Sequence, residues 1–475
     1  MGWGHMTIQH SRRLSPLMLA AYSSPYMPVG ALIICLVVYL PNYYASHLGL
    51  DLTTAGWAFT VVRLFDIGFD PFAGAAMDGM RLRWGRYRPF LVLSSPLIAV
   101  AVYALFMAEP GVSANYLIAW LGVLYVGFSL CVLSQAAWGA ALVPDYHERS
   151  RVYSRIQIFG VVGAVGALIL PPILHSWFGT GQVGGVRAMG WFIICAAPIT
   201  AFIAAVRVPE PPESPRRERI SWRDYRALLV RHSMIRVLLA DLFLTLGPAI
   251  TAVLYFFFFR EARGYTLYQS NILLLIYICA GLGGAPFWAW LSRRIGKHRT
   301  IILASVLHGI TQSCVLLLPA ANVQLMAPAM FIVGFIASAY LFLLNAMVAD
   351  VSDEVRLETG KDRIGLLYAL FTGVQKIGSA LSVGITFTIL DNIGFKAAEG
   401  SVNTPDAIWG LEACFVAAPV LSILVGGAAM WGYRLTEQRH QEIRDGLAAR
   451  DGLGAAETES VTVSGPLAPA AAVEG

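Results

Sequence analysis

The sequence predicts an all-α membrane protein, with twelve transmembrane helices in two pseudo-symmetric six-helix bundles. Three observations carry that prediction. Of the 475 residues, 57% are hydrophobic and only 13% charged, about half the charge of an ordinary soluble domain. Apolar runs recur along the whole chain, each near the roughly 20 residues that a helix needs to cross a hydrocarbon layer about 30 Å thick. A short glycine-basic motif also occurs twice, six runs apart.

The runs place spans at 16–40, 52–78, 89–108, 115–143, 156–178 and 187–206, and then at 234–259, 270–291, 300–319, 325–350, 364–391 and 406–433. Residues 1–206 are therefore expected to form the first bundle and 234–445 the second. The interval 207–233 is rich in proline and charge and cannot enter lipid, so it is expected to link the bundles. Residues 446–475, dominated by Ala, Gly, Glu, Ser and Thr, have little to bury and are expected to be a disordered tail. The opening apolar stretch runs past the length of a signal-peptide core and lacks a small-residue cleavage site, so it reads as an uncleaved first span. The six cysteines fall singly inside apolar runs, with no metal or disulfide spacing, and read as small core residues.

Orientation follows from the basic residues. One side holds Arg12 and Arg13, then Arg81, Arg83, Arg86 and Arg88, then Arg149, Arg151 and Arg155, then the arginines of the linker from Arg216 to Arg236, then Arg293, Arg294, Lys297 and Arg299, then Arg356, Lys361 and Arg363, whereas the loops on the other side hold only Arg187, Arg260, Arg263 and Lys396. By the positive-inside rule both termini and the linker are expected to be cytoplasmic, in the inner (plasma) membrane. The net charge of +5 then reports topology and implies no nucleic-acid partner. The repeated motif is Gly85-Arg86-Tyr87-Arg88 after the second span and Gly296-Lys297-His298-Arg299 after the eighth. Paired repeats are the architecture of rocking transporters, which bind a solute near the midplane between halves.

Charges inside spans mark the chemistry, because each costs several kcal/mol unless paired, watered or protonated. Asp66 and Asp70 in the second span are four residues apart and share a helix face, with Arg63 one turn before them. Such a pair neutralises a cation or shares a proton. Pairing of Arg63 with Asp66 inside the helix is the structural alternative. Pro71 is expected to break or bend the span. Lys376 lies mid-span in the eleventh helix, where it would compete with an incoming cation for the carboxylates; it and Arg63 are assigned to coupling. Asp241 and Glu412 are expected near membrane interfaces, and His308 as a satisfied core histidine.

At these residues the chain resembles the glycoside-pentoside-hexuronide:cation symporter family of the major facilitator superfamily. The matching stretches run from Arg63 to Phe90, from Leu142 to Arg151 and from Met347 to Ala380. The resemblance implies a secondary active transporter that carries a sugar, glycoside or sugar acid with a proton or sodium ion by alternating access, with no other cofactor and as a monomer. It assigns Asp66 and Asp70 to the cation site and Lys376 to its neighbourhood. It assigns Asp78, Arg86, Arg88 and Arg149 in the first half, and Asp350, Asp353 and Arg363 in the second, to the inner gate. The resemblance departs at Phe69, where a galactoside permease of the family has an asparagine; a phenyl ring offers sodium no oxygen. That permease's sugar-gripping acids fall near Gly30 and Val132.

The expected solute-facing groups are instead Tyr26, Gln135, Trp138, Gln157 and Gln375, polar or aromatic residues on the presumed pore helices. An amphipathic, lysolipid-like solute is the alternative cargo. An enzyme of another class, a prenyltransferase using Asp66 and Asp70 to hold Mg2+ on a diphosphate, needs a second aspartate-rich motif facing the first. Asp350 and Asp353 are poorly placed for that, at the edge of a span.

Overall fold

The computed structural model describes residues 15–79, 84–142, 146–179, 181–210, 228, 231–360 and 363–463, without the side chains of 78–79, 140–141, 146–151, 153 and 451–463. Among the described residues, eleven helices are long and apolar enough to cross a membrane. They are α1 (Pro16–Ser46), α3 (Arg88–Phe106), α4 (Ala114–Leu142), α5 (Tyr146–Phe178), α6 (Gln182–Arg207), α7 (His232–Ala262), α8 (Leu267–Ile295), α9 (Lys297–Leu317), α10 (Val323–Thr359), α11 (Ile364–Asn392) and α12 (Pro405–Ala429). The twelfth spanning helix, α2 (Leu52–Gly79), carries the three intramembrane charges that lower its hydropathy.

Local chemistry sets the helix ends. Ser15 caps α1 ahead of Pro16, Thr266 and Gln269 form a capping box on α8, and Thr404 precedes Pro405 at the start of α12. Each arrangement satisfies amide groups that a helix start leaves open. Pro71 lies inside α2, which stays continuous through it, so the expected break does not occur. Its ring removes one amide donor, and the helix stays continuous because α4 and α11 pack along it.

The helix pairings repeat between halves. In the first, α1 packs on α5 and α6, α2 on α4, and α3 on α4 and α6; in the second, α7 packs on α11 and α12, α8 on α10, and α9 on α10 and α12. Each pairing is the other displaced by six helices, and the two main contacts between halves, α2 on α11 and α5 on α8, exchange under the same displacement. Apolar side chains such as Phe72, Ile199, Phe202, Ile310 and Leu421 face outward, as a lipid-facing surface requires. Cys35, Cys131 and Cys414 are buried, whereas Cys195, Cys279 and Cys314 are exposed rather than core residues.

Lipid is as apolar as the side chains, so helices associate through close packing and hydrogen bonds. The α2–α11 crossing shows both. The Thr60 hydroxyl lies 2.9 Å from the Gly56 carbonyl and 2.8 Å from that of Ala380, and accepts the Gly384 amide at 3.0 Å. Gly384 is required there, since a Cβ on it would stand 2.6 Å from Thr60 Oγ1. Both α1 and α7 widen into a π-type turn near the same end, at Cys35–Tyr39 and Phe257–Ala262.

The tail begins differently from expectation. Helix α13 (Glu437–Val463) runs through residue 446, because Ile443 and Leu447 bury one stripe in the cluster that holds Val351 and Val355 of α10, and Arg450 donates to the Arg356 carbonyl at 3.1 Å. Residues 464–475 and most of the linker lie outside the described residues.

Candidate functional site

The charges expected at mid-membrane meet. Lys376 Nζ on α11 donates to Asp66 Oδ2 at 2.7 Å and to Asp70 Oδ2 at 2.6 Å, both on α2. Asp66 is 2% exposed. The remaining carboxylate oxygens face a third helix, where Ser129 Oγ on α4 stands 2.6 Å from Asp66 Oδ1 and 2.7 Å from Asp70 Oδ1. Ser129 was not foreseen, since an isolated serine in an apolar span usually bonds its own helix backbone. Phe69 turns away from this cluster and packs with Ala73, Met77, Phe90 and Leu130. The position at Gly30 holds no acid for a steric reason: a side chain there would run into the Gly160 carbonyl of α5.

Arg63 does not pair with Asp66. Its side chain and Tyr125 of α4 both line a recess of about 30 Å³ beside Asp66 and Lys376. Asp241 is 1% exposed on α7 and accepts the Gln375 amide at 3.1 Å. Glu412 pairs with Arg263 at 3.1 Å, and His308 is satisfied by Tyr340 at 3.0 Å.

The expected solute-facing set divides. Gln157 is exposed and Tyr26 half-buried against Gly160. Gln135 donates to the Tyr22 carbonyl at 2.8 Å and accepts, through its own carbonyl, the Tyr22 hydroxyl. Trp138 is wholly buried, donates to the Pro209 carbonyl at 3.3 Å and lies under the Arg88 guanidinium. Those two residues, with Gln375, are engaged in contacts inside their own halves.

At the face carrying the basic loops, the two repeats of the glycine motif are anchored by acids. Gly85 takes a positive φ of 115°, which aims the amides of Arg86 and Tyr87 at Glu210 Oε1 at 2.5 and 2.6 Å. Arg88 donates to the Val208 carbonyl at 2.5 Å, and Arg86 to that of Met77 at 3.1 Å. Glu210, in the proline-rich linker, was not foreseen as an anchor; the helix N-terminus attracts it. In the second half Gly296 has φ 89°, Lys297 holds Asp350 at 2.6 Å, and His440 of α13 lies 3.0 Å from Asp353. Arg363 caps α11 through its carbonyl. The side chains of Asp78 and Arg149 lie outside the described residues.

At the opposite face, contacts close the gap between halves. Glu399, after α11, sets Oε2 2.8 Å from His47 Nε2 and Oε1 3.4 Å from Arg260, and donates its amide to the Ser46 carbonyl at 3.0 Å. Arg260 bonds Gln182, which donates to Asn42 at 2.8 Å. Thr53 donates to Asp391 at 2.7 Å and Tyr39 to Asn271 at 2.5 Å.

Burial, reinforced by Arg260, holds the His47 pKa below 6.5, outweighing the pull of Glu399. When this face opens, His47 regains water and its ordinary value, so the closed face binds a proton less readily than the open one. Closure is therefore fully favoured above pH about 6.5 and weakens as pH falls through the depressed value. Labelling of a cysteine at position 53 by an impermeant thiol reagent, in a cysteine-free background and relative to a fully exposed control cysteine labelled at the same pH, is expected to quicken on acidification. His47→Gln removes that pH response; an unchanged response means that another group carries it.

Comparison with known proteins gives three findings. A family model described as MFS/sugar transport protein matches residues 21–437. The chain is 22% identical to a glucuronide carrier protein homolog of Escherichia coli, over 86% of this chain and 90% of that one, and 23% identical to an isoprimeverose transporter of Lactiplantibacillus pentosus, over 86% of each. Its fold matches the crystal structure of the nucleoside transporter NupG, in a mutant form, with a TM-score of 0.67 at 11% identity, covering 88% of this chain and all of the other.

Proposed function

The chain belongs to the MFS/sugar transport protein family, a family of transporters and not of enzymes, and from that premise we propose that it is a cation-coupled symporter of a saccharide solute. The carrying observation is that one lysine of the second bundle holds both buried carboxylates of the first. A cation arriving at Asp66 and Asp70 competes with Lys376 for the same oxygens and so loosens the link between halves. Solute that favours the same released state then binds in concert with the cation, with a coupling of about 1–3 kcal/mol. The named relatives, a glucuronide carrier homolog and an isoprimeverose transporter, support a sugar or sugar derivative as cargo.

A proton suits the site better than sodium. Ser129 has one hydroxyl proton for two carboxylate contacts, so a proton on either acid completes the set, whereas Phe69 leaves sodium short of oxygen ligands. The basic face is cytoplasmic by the positive-inside rule, in the inner membrane, which makes the Glu399 cluster the outer gate. The prenyltransferase alternative fails, since Asp350 and Asp353 are taken by Lys297 and His440.

Uptake by the full-length protein in proteoliposomes, across glycosides, sugar acids and lysolipids with proton and sodium gradients imposed separately, tests this reading. A saccharide concentrated by the proton gradient is expected. Accumulation of lysolipid alone, or of nothing under either gradient, would overturn it.

A further inference from the structure

Asp241 is an acid inside a spanning helix with no cation beside it. It lies about two and a half turns past His232 on α7, is 1% exposed, and pairs with no Lys, Arg or His among the described residues. One carboxyl oxygen, Oδ1, accepts the Gln375 amide of α11 at 3.1 Å. The other, Oδ2, is buried without a hydrogen-bond partner.

The charges on the helices packed along α7 are committed elsewhere. Lys376 of α11 is taken by Asp66 and Asp70, Asp350 of α10 by Lys297, and Glu412 of α12 by Arg263. The remaining charges of α10 lie beyond Asp350, those of α11 and α12 are Asp391 and Asp406 in terminal turns, and α1 carries none. Arg236, on α7 itself, donates to the Ala429 and Trp431 carbonyls. Of the phenols on these helices, Tyr340 is bonded to His308, Tyr368 to the Asn345 carbonyl and Tyr39 to Asn271.

An ionised carboxylate held by one neutral amide at this burial is far costlier than a neutral acid with one unmet hydroxyl. A metal cation would need several oxygen ligands around it, and Asp241 has only the Gln375 amide as a polar partner. We infer that Asp241 is a second proton-binding site, in the second bundle and separate from the carboxylate pair of the first, and that its proton exchanges with water. Water approaches along α11, where Gln375 is half-buried and its neighbour Lys376 lines the recess beside Asp66. Because Gln375 and Lys376 are consecutive, one displacement of α11 alters the surroundings of both sites. The inference goes beyond the symport reading and rests on neither the cargo nor the coupling ion.

Infrared spectra of the purified full-length protein at neutral pH test it. A protonated-carboxyl C=O band is expected that is lost in Asp241→Asn and kept when Asp66→Asn and Asp70→Asn are combined. Transfer to D2O shifts the band down as a deuteron replaces the proton, added sodium chloride leaves it in place, and Gln375→Ala shifts it up because the C=O loses its hydrogen bond. Melting curves identify an Asp241→Asn protein that has failed to fold, and Gln375→Ala then carries the assignment. Absence of any band that depends on Asp241 or moves in Gln375→Ala, or its abolition by sodium, overturns the site. A band that never responds to D2O overturns the exchange. No solute enters these measurements, so failure of saccharide uptake leaves the inference standing, and its own failure leaves saccharide symport standing.

Discussion

Asp66→Asn and Asp70→Asn are each expected to abolish uphill accumulation of solute. The carboxamide keeps the size of the side chain and one acceptor oxygen but removes the charge for which Lys376 and the proposed coupling cation compete. With one acid neutralised, a cation no longer gains enough at the site to displace the lysine, and cation and solute lose their mutual preference for one state. Coupling of about 1–3 kcal/mol corresponds to about 5–150-fold in affinity. Steady-state accumulation under an imposed gradient therefore falls to the equilibrated level, while solute exchange across equal concentrations is lost far less. Uptake and counterflow measured on the same proteoliposomes separate the two. Concentrative uptake by both variants at the wild-type level would remove these acids from the coupling mechanism.

Lys376→Ala is expected to cause the largest loss of stability. It leaves two carboxylates, one of them 2% exposed, facing each other across a single serine hydroxyl with no positive charge between them. Removing one partner from a buried ionic cluster costs about 3–5 kcal/mol, more than the intact pair contributes, because the remaining charge stays buried. The bond also joins two halves, so thermal unfolding in detergent should lose cooperativity as well as midpoint temperature. Combining Lys376→Ala with Asp70→Asn should recover part of the loss by reducing the uncompensated charge. A Lys376→Ala protein that melts like wild type would mean that water or a bound ion already neutralises the acids.

Hydropathy made the spans legible because it measures what lipid covers, and it misjudged helix ends where the chain leaves lipid without leaving the helix. α5 starts at Tyr146, ten residues before the expected boundary, and α10 continues to Thr359 beyond the expected 350; both extensions are charged stretches. α1 extends from the expected 40 to Ser46 because Asn42, Tyr43 and Tyr44 look like a loop in sequence yet are buried, the two tyrosines donating to the Ala108 and Leu105 carbonyls. The carboxylates and the lysine were legible for the reason that charges in a span are rare and require partners. Ser129 and Glu210 were not: a serine is common in such helices, and a glutamate among prolines reads as solvated linker. Gln135 and Trp138 show the converse limit, since polarity on an apolar helix does not reveal whether its partner is a solute or the neighbouring backbone.

The wide turns in α1 and α7 have a consequence for movement. Each holds one residue more than the coil around it needs, and each adjoins the closed end of the molecule, with Tyr39 on one and Arg260 on the other reaching across to the opposite half. Passing that surplus residue along the helix rotates every side chain it crosses by about 100°, enough to swing both side chains out of the seam while the backbone stays hydrogen-bonded and the rest of each rod stays straight. Because the surplus sits at matching positions in the two repeats, the seam can unlatch by two similar local rewindings rather than by bending twelve helices at once.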